Sequence, residues 1–279
     1  VTRRIVYGDR VKIALMDSGI GLLAAAAVVR RLRPDADLVL SSDPGSMPWG
    51  PRTPEDVTAR ALAVAEAAAR HRPDALIVAC NTASVRALPA LRARLEPEVP
   101  VIGTVPAIKP AAAGGGPIAI WATPATTGSP YQRGLIAEFA DGVSVTEVAC
   151  PGLADAVEHA DQDAIDAAIA AAAAHTPEDV RAVVLGCTHY ELVAERIRAA
   201  VQRPGRPPLV LHGSAGAVAA QALRRIGEAP RPEAPADSVV TVLLGGEEGP
   251  LPATALSYEE GRVLSAAVPA LTEGHRSTR

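Results

Sequence analysis

Two cysteines, Cys80 and Cys187, are the side chains in this sequence best placed to do chemistry. Cys80 closes the apolar run ALIVAC and is followed by Asn81, Thr82 and Ser84. Cys187 closes VVLGC and is followed by Thr188 and His189. Each run reads as a strand and each following segment as the start of a helix. Both thiols are therefore expected at the carboxyl end of a strand, where ligands gather in open α/β sheets. The unpaired N–H groups and dipole of a helix amino end favour an anion there. The expected result is a thiol pKa lowered from about 8.5 toward neutrality, or a seat for a substrate carboxylate. Such a thiol can take a proton as thiolate or give one as thiol. A single strand-end cysteine reads more readily as buried structure; two in matched polar settings argue for function. Cys150 precedes Pro151 with no polar residue after it and reads as structural.

The elements that must position these thiols alternate along the chain. Strands are expected at 11–16, 36–42, 75–80, 99–104, 117–122, 143–149, 182–187 and 208–213, with amphipathic helices between them. Helices are read at 54–71, with Thr53 as N-cap and Pro54 in the first turn, and at 81–95 and 191–202. This is an α/β pattern with parallel sheets. The two halves match: nearly equal numbers of residues separate Ile13 from Cys80 and Ile118 from Cys187. We expect two pseudo-symmetric α/β domains with the active site in the cleft between them. The first comprises 1–105 plus 213–279 and the second 106–212. A proline-rich linker at 229–237 leads to a carboxyl-terminal extension, a tail SVVTVLLGGEEG plus a short helix.

Composition narrows the function classes. Hydrophobic residues make up 48% and charged residues 21%, as in an ordinary globular protein with a full core. The net charge of −4 provides no basic field, so nucleic acid is not an expected partner. Three cysteines without a CxxC pair suggest neither a disulfide framework nor a structural zinc site, and a reducing compartment is expected. The sequence shows neither a signal peptide nor an apolar run of membrane-spanning length, so a cytoplasmic location without membrane association is expected. The two lysines, Lys12 and Lys109, sit at a strand start and between prolines, poor settings for a Schiff base. Gly114–Gly116 does not form a dinucleotide-binding turn. No cofactor and no metal are expected.

The motifs DSGIG at 17–21, ACNTA at 79–83 and LGCTHY at 185–190 resemble those of the glutamate racemases in the aspartate/glutamate racemase superfamily, in order and spacing across residues 11–226. The resemblance implies cofactor-independent interconversion of L- and D-glutamate, with one cysteine on each face of the α-carbon, supplying D-glutamate for peptidoglycan. It also implies roles for the surrounding residues. Asp17 and Ser18 match a pair that contacts the substrate amine and positions a cysteine. Asn81 and Thr82 flank the first cysteine, and Thr188 and His189 the second, with His189 as assistant to Cys187. Pro48, Trp49 and Gly50 match a substrate loop, and Thr123 and Thr126 a carboxylate pocket. Asp43 and Glu158 match acidic residues that could partner the site. Many such proteins are dimers, which leaves a homodimer open.

Three positions depart from the family pattern. Trp49 stands where tyrosine is usual, with the contact there expected to be mostly backbone. Leu22 replaces a glycine and is expected to narrow the loop after Asp17-Ser18. Glu191 replaces a proline and reads as a harmless acid in a first helical turn. Aspartate or hydantoin as substrate, a non-catalytic role such as gyrase inhibition, and a redox dithiol remain as alternatives. His189 favours glutamate over aspartate, because the resemblance places an acid there in aspartate racemases.

Overall fold

The structure, a computed structural model, describes residues 10–267. The outermost parts of the expected first domain, 1–9 and 268–279, lie outside the described residues. Among the described residues ten strands form two sheets. β1 (Lys12–Asp17), β2 (Asp37–Ser42), β3 (Ala75–Val78) and β4 (Val101–Gly103) belong to the first, with β9 (Val240–Leu244) and β10 (Glu247–Glu248). Its order is β10-β9-β2-β1-β3-β4. β5 (Ile118–Ala122), β6 (Val145–Ala149), β7 (Ala182–Leu185) and β8 (Val210–His212) form the second, in the order β6-β5-β7-β8. Every pairing is parallel except β10 with β9. The order 2-1-3-4 of the first sheet is repeated as 6-5-7-8 in the second, so β3 and β7, the strands that lead to Cys80 and Cys187, are equivalent.

The strands are short, and the central ones are buried on both faces, as a parallel sheet covered by helices requires. β1, β3, β5 and β7 are almost wholly buried along their length. Alanine-rich helices cover them: in Leu23–Leu32, Ala24 to Ala27 are all buried, and their small side chains let the helix approach the sheet closely. The Pro54–Ala69 helix starts as read, with the Thr53 hydroxyl accepting from the Asp56 N–H. Two other helices are broken. Residues 81–95 split into Asn81–Arg86 and Leu88–Leu95, because Pro89 has no N–H to continue the ladder. The second thiol is followed by Thr188–Glu191 and then Ala194–Val201 rather than one helix over 191–202.

The chain returns to the first sheet after β8. The helix Ala215–Ile226 packs against β3, β4 and Leu23–Leu32. The extension then adds β9 in parallel to the β2 edge, and its last helix, Glu259–Ser265, lies on Leu23–Leu32. Two of the departures have structural explanations here. Leu22 is 3% exposed and points into the main core, so it does not narrow the cleft. Glu191 does more than sit harmlessly: its Oε1 accepts from the Ser214 N–H and hydroxyl, each at 2.7 Å, and both carboxylate oxygens accept from the Ala215 N–H. It thereby caps the helix that carries the chain back. Glu191→Ala leaves those donors without an acceptor and is expected to cost about 2 kcal/mol of stability, measurable by chemical denaturation.

Candidate active site

The same backbone geometry presents both thiols. At the end of the first sheet the Ala79 N–H donates to the Met16 carbonyl at 2.8 Å, and in the second the Gly186 N–H donates to the Trp121 carbonyl at 2.7 Å. The next residue in each case is the cysteine, extended at φ −144 and ψ 118 for Cys80 and φ −139 and ψ 136 for Cys187. Each is the N-cap of the helix that follows, with its carbonyl accepting from Ser84 and Tyr190 respectively.

Both cysteines line one cavity of about 340 Å³. Asp17, Ser18, Pro48, Trp49, Gly50, Asn81, Thr82, Thr123, Thr126, Thr188 and His189 line it too, so the structure brings these sequence-derived candidates together. The Asn81 side chain is buried, and neither its Nδ2 nor its Oδ1 has a hydrogen-bond partner. A buried amide with both ends unpaired costs free energy unless a ligand or water meets it. The Thr123 and Thr126 hydroxyls stand 3.3 Å apart. Among the described residues that line the cavity there is no lysine or arginine, so an acidic ligand would be met by amide, hydroxyl and backbone N–H groups.

The charged groups are arranged differently around the two thiols. Asp17, at the end of β1, accepts through Oδ1 from the Ser18 N–H at 2.7 Å and the Ser18 hydroxyl at 3.3 Å. Its Oδ2 has no hydrogen-bond partner and lies 4.0 Å from His189 Nδ1. Burial raises the Asp17 pKa to about 6, against the opposing pull of His189. Burial also pushes the Cys80 thiol well up, and the adjacent Asp17 carboxylate adds to this. The expected shift toward neutrality is therefore reversed at Cys80: desolvation and a neighbouring negative charge outweigh the helix end, and Cys80 rests as a thiol. At Cys187, His189 Nδ1 lies 3.9 Å from Sγ. The His189 Nε2–H donates to Glu158 Oε2 at 2.9 Å, and the Ile20 N–H donates to the same oxygen at 2.8 Å. Burial works against a charged His189, but the contacts with Cys187 and Glu158 and the charge of Asp17 outweigh it and raise its pKa well above the usual value. Burial likewise works against Glu158 ionising, and the His189 and Ile20 contacts win, so its carboxyl is held below the usual range.

The two acidic candidates thus separate. Glu158 does not line the cavity but stands directly behind His189. Asp43 lies outside it, accepting from the Ser46 hydroxyl and from Arg60 Nη1 at 3.3 Å. Its reach to the site is indirect: Trp49 Nε1–H donates to Ser46 Oγ at 2.8 Å, and the indole is 2% exposed. The Trp49 indole thus anchors this loop to Ser46. Cavity residues that the sequence reading did not single out include Met47, Ala154 and Asp155, and Cys150, read as structural, lines the cavity as well. Cys150 is 1% exposed, and burial lifts its thiol to about 12. Met47 and Ala154 carry no chemical signature in the sequence, and Asp155 stands outside the motifs that surround the two thiols.

Gly19 and Gly21 explain the glycines of the DSGIG motif. A Cβ at Gly19 would overlap Glu158 and Met47, and one at Gly21 would overlap the side chains of Asp17, Thr188 and His189.

The architecture is that of a racemase. A glutamate racemase of Escherichia coli, solved in complex with L-glutamate and the activator UDP-MurNAc-ala, superposes with a TM-score of 0.73 at 28% identity, covering 89% of this chain and 92% of that one. Glutamate racemases of Roseiflexus sp. and Granulibacter bethesdensis are 38% and 39% identical over 67% and 69% of this chain, spanning 70% and 71% of their own lengths. The chain belongs to the Asp/Glu/Hydantoin racemase family, which it matches over residues 22–226, and it is an amino-acid racemase.

Two predictions follow from this geometry. Gly21→Ala displaces Asp17 and His189 and is expected to lower turnover on the order of 10²-fold, read in a rate assay of the folded variant. The second concerns Asp17. Its folded pKa of about 6 lies above the reference 3.8, so the folded state holds this proton more tightly than the unfolded chain. The associated stability is complete below pH 4 and lost as pH rises through 6, a change of about 3 kcal/mol. Asp17→Asn lacks it, so denaturation of the two proteins from pH 3 to 7 should show the wild type losing ground to the variant by about 3 kcal/mol, about 2 kcal/mol of it between pH 4 and 6.

Proposed function

We propose that this chain interconverts L- and D-glutamate without a cofactor, using Cys80 and Cys187 on opposite faces of the substrate α-carbon. The observation that carries the reading is that two cysteines on equivalent strand ends line one cavity with unpaired amide and carboxylate groups beside them. The substrate is supported by the relatives named glutamate racemase and by the L-glutamate held in the E. coli structure.

In one direction the Cys187 thiolate takes the α-proton. The electron pair left on carbon is delocalised into the α-carboxylate, and the Cys80 thiol donates its proton to the opposite face. The enzyme then differs from its starting state only in which sulfur carries a proton, and the reverse direction uses the roles exchanged. His189 suits this role at Cys187. With Nε2–H committed to Glu158, its Nδ1 can accept the thiol proton when neutral and stabilise the thiolate when charged. Asp17 and Ser18 hold the substrate ammonium, Asn81 and Thr82 with Thr123, Thr126 and Thr188 hold the carboxylates, and Pro48, Trp49 and Gly50 close the cavity.

The product D-glutamate would serve peptidoglycan synthesis in the cytoplasm. No helix among the described residues is long and apolar enough to cross a membrane. A homodimer remains compatible with this proposal.

The direct test incubates purified protein with L-glutamate in D2O with no added cofactor. D-glutamate carrying deuterium at Cα is expected. Absence of both inversion and deuterium uptake contradicts the reading, and faster turnover of aspartate or a hydantoin reassigns the substrate. Cys80→Ser and Cys187→Ser are each expected to lower racemisation by on the order of 10³-fold or more, because one face then lacks its acid or base.

A further inference from the structure

The carboxyl-terminal extension reaches the machinery of Cys187 from behind. Tyr258 lies between the turn Ala253–Ser257 and the helix Glu259–Ser265, which packs on the first-sheet helix Leu23–Leu32. Its ring is 6% exposed and shares a core with Leu153, Ala156 and Val157 of the second unit. Its hydroxyl donates to the Val157 carbonyl at 2.6 Å. That carbonyl belongs to the peptide unit that joins Val157 to Glu158, so the bond fixes the plane from which the Glu158 side chain departs.

The local chain needs such an anchor. Glu158 ends a helix of only six residues, Leu153–Glu158. A helix that short has little stability of its own and depends on tertiary contacts. Two residues on, Ala160 is held at φ +53, a conformation disfavoured for a residue with a Cβ. Besides Tyr258, the Val157 carbonyl accepts from backbone N–H groups of the turn that ends this helix, Ala160 at 3.1 Å and His159. Glu158 is then held at three points: His189 Nε2 and the Ile20 N–H at its carboxylate, and Tyr258 at its backbone. The last two come from segments packed with the first sheet, while Glu158 belongs to the second.

We propose that Tyr258 is a positioning residue for the Glu158–His189 pair, so that the extension, by bridging the two units, sets the imidazole that serves Cys187. This inference rests on the reading of His189 and Glu158 given above and adds a residue outside the cavity to it.

The test is a double-mutant cycle in the full chain with Tyr258→Phe and Glu158→Gln, following kcat and KM for glutamate. Tyr258→Phe keeps the buried ring and removes only the hydroxyl. It is expected to lower kcat about fivefold, ~1 kcal/mol on the barrier, with KM within about twofold. In the Glu158→Gln background the same change is expected to cost less than about 1.5-fold, because the residue it positions is already disabled. A full fivefold loss in both backgrounds, or a lowered melting temperature with kcat unchanged, overturns the proposal. Wild-type kcat in Glu158→Gln itself overturns the role of Glu158 and this inference together. Loss in Glu158→Gln with wild-type kcat in Tyr258→Phe overturns only the latter.

Discussion

In each sheet the backbone N–H just past the third strand donates to the carbonyl near the end of the first, Ala79 to Met16 and Gly186 to Trp121. These two bonds extend the ladders by one residue and end them at the same level. The chain must leave the sheet at the next residue, and that residue is a cysteine both times. The strands cannot slide in register without turning every buried side chain to the wrong face. The position of each sulfur is thus inherited from a buried central strand rather than from a loop, and both sulfurs line one cavity.

Equivalent backbones carry unequal electrostatics. Cys80 is buried beside the Asp17 carboxylate, which favours the thiol. Cys187 faces an imidazole backed by the ionised Glu158. The two environments approach each other through the 4.0 Å between Asp17 and His189. The proposed proton transfer from one face of a carbon to the other needs one sulfur that starts with a proton and a partner group that can take a proton beside the other. The protonated Cys80 and the imidazole beside Cys187 fit those two needs without breaking the symmetry of the fold. Gly19 and Gly21 make room for it, since any side chain there would displace Glu158, Asp17 or His189.

The parallel strands, their repetition and the two thiol positions were legible because β-branched runs and polar residues after each cysteine are local signals. The cavity wall was not: Met47 and Ala154 come from distant segments and look like any apolar residue. The direction of the Cys80 shift was also hidden, since the sequence shows a helix start but not the depth of burial or the carboxylate beside it. Glu191 read as a harmless acid in a first helical turn because its partners, Ser214 and Ala215, lie more than twenty positions away. The extension read as a tail, although β9 completes the first sheet edge and Tyr258 crosses to the second unit. Local pattern reveals elements and motifs; contacts between distant segments decide what a buried charge or hydroxyl does.

A crystal structure of the protein with glutamate bound tests the central claim most directly. The account requires the α-carbon to lie between the Cys80 and Cys187 sulfurs, one on each face, with the α-carboxylate and ammonium drawn to the side chains that line the cavity. A ligand whose α-carbon meets only one of those sulfurs, or meets both from the same side, would contradict it.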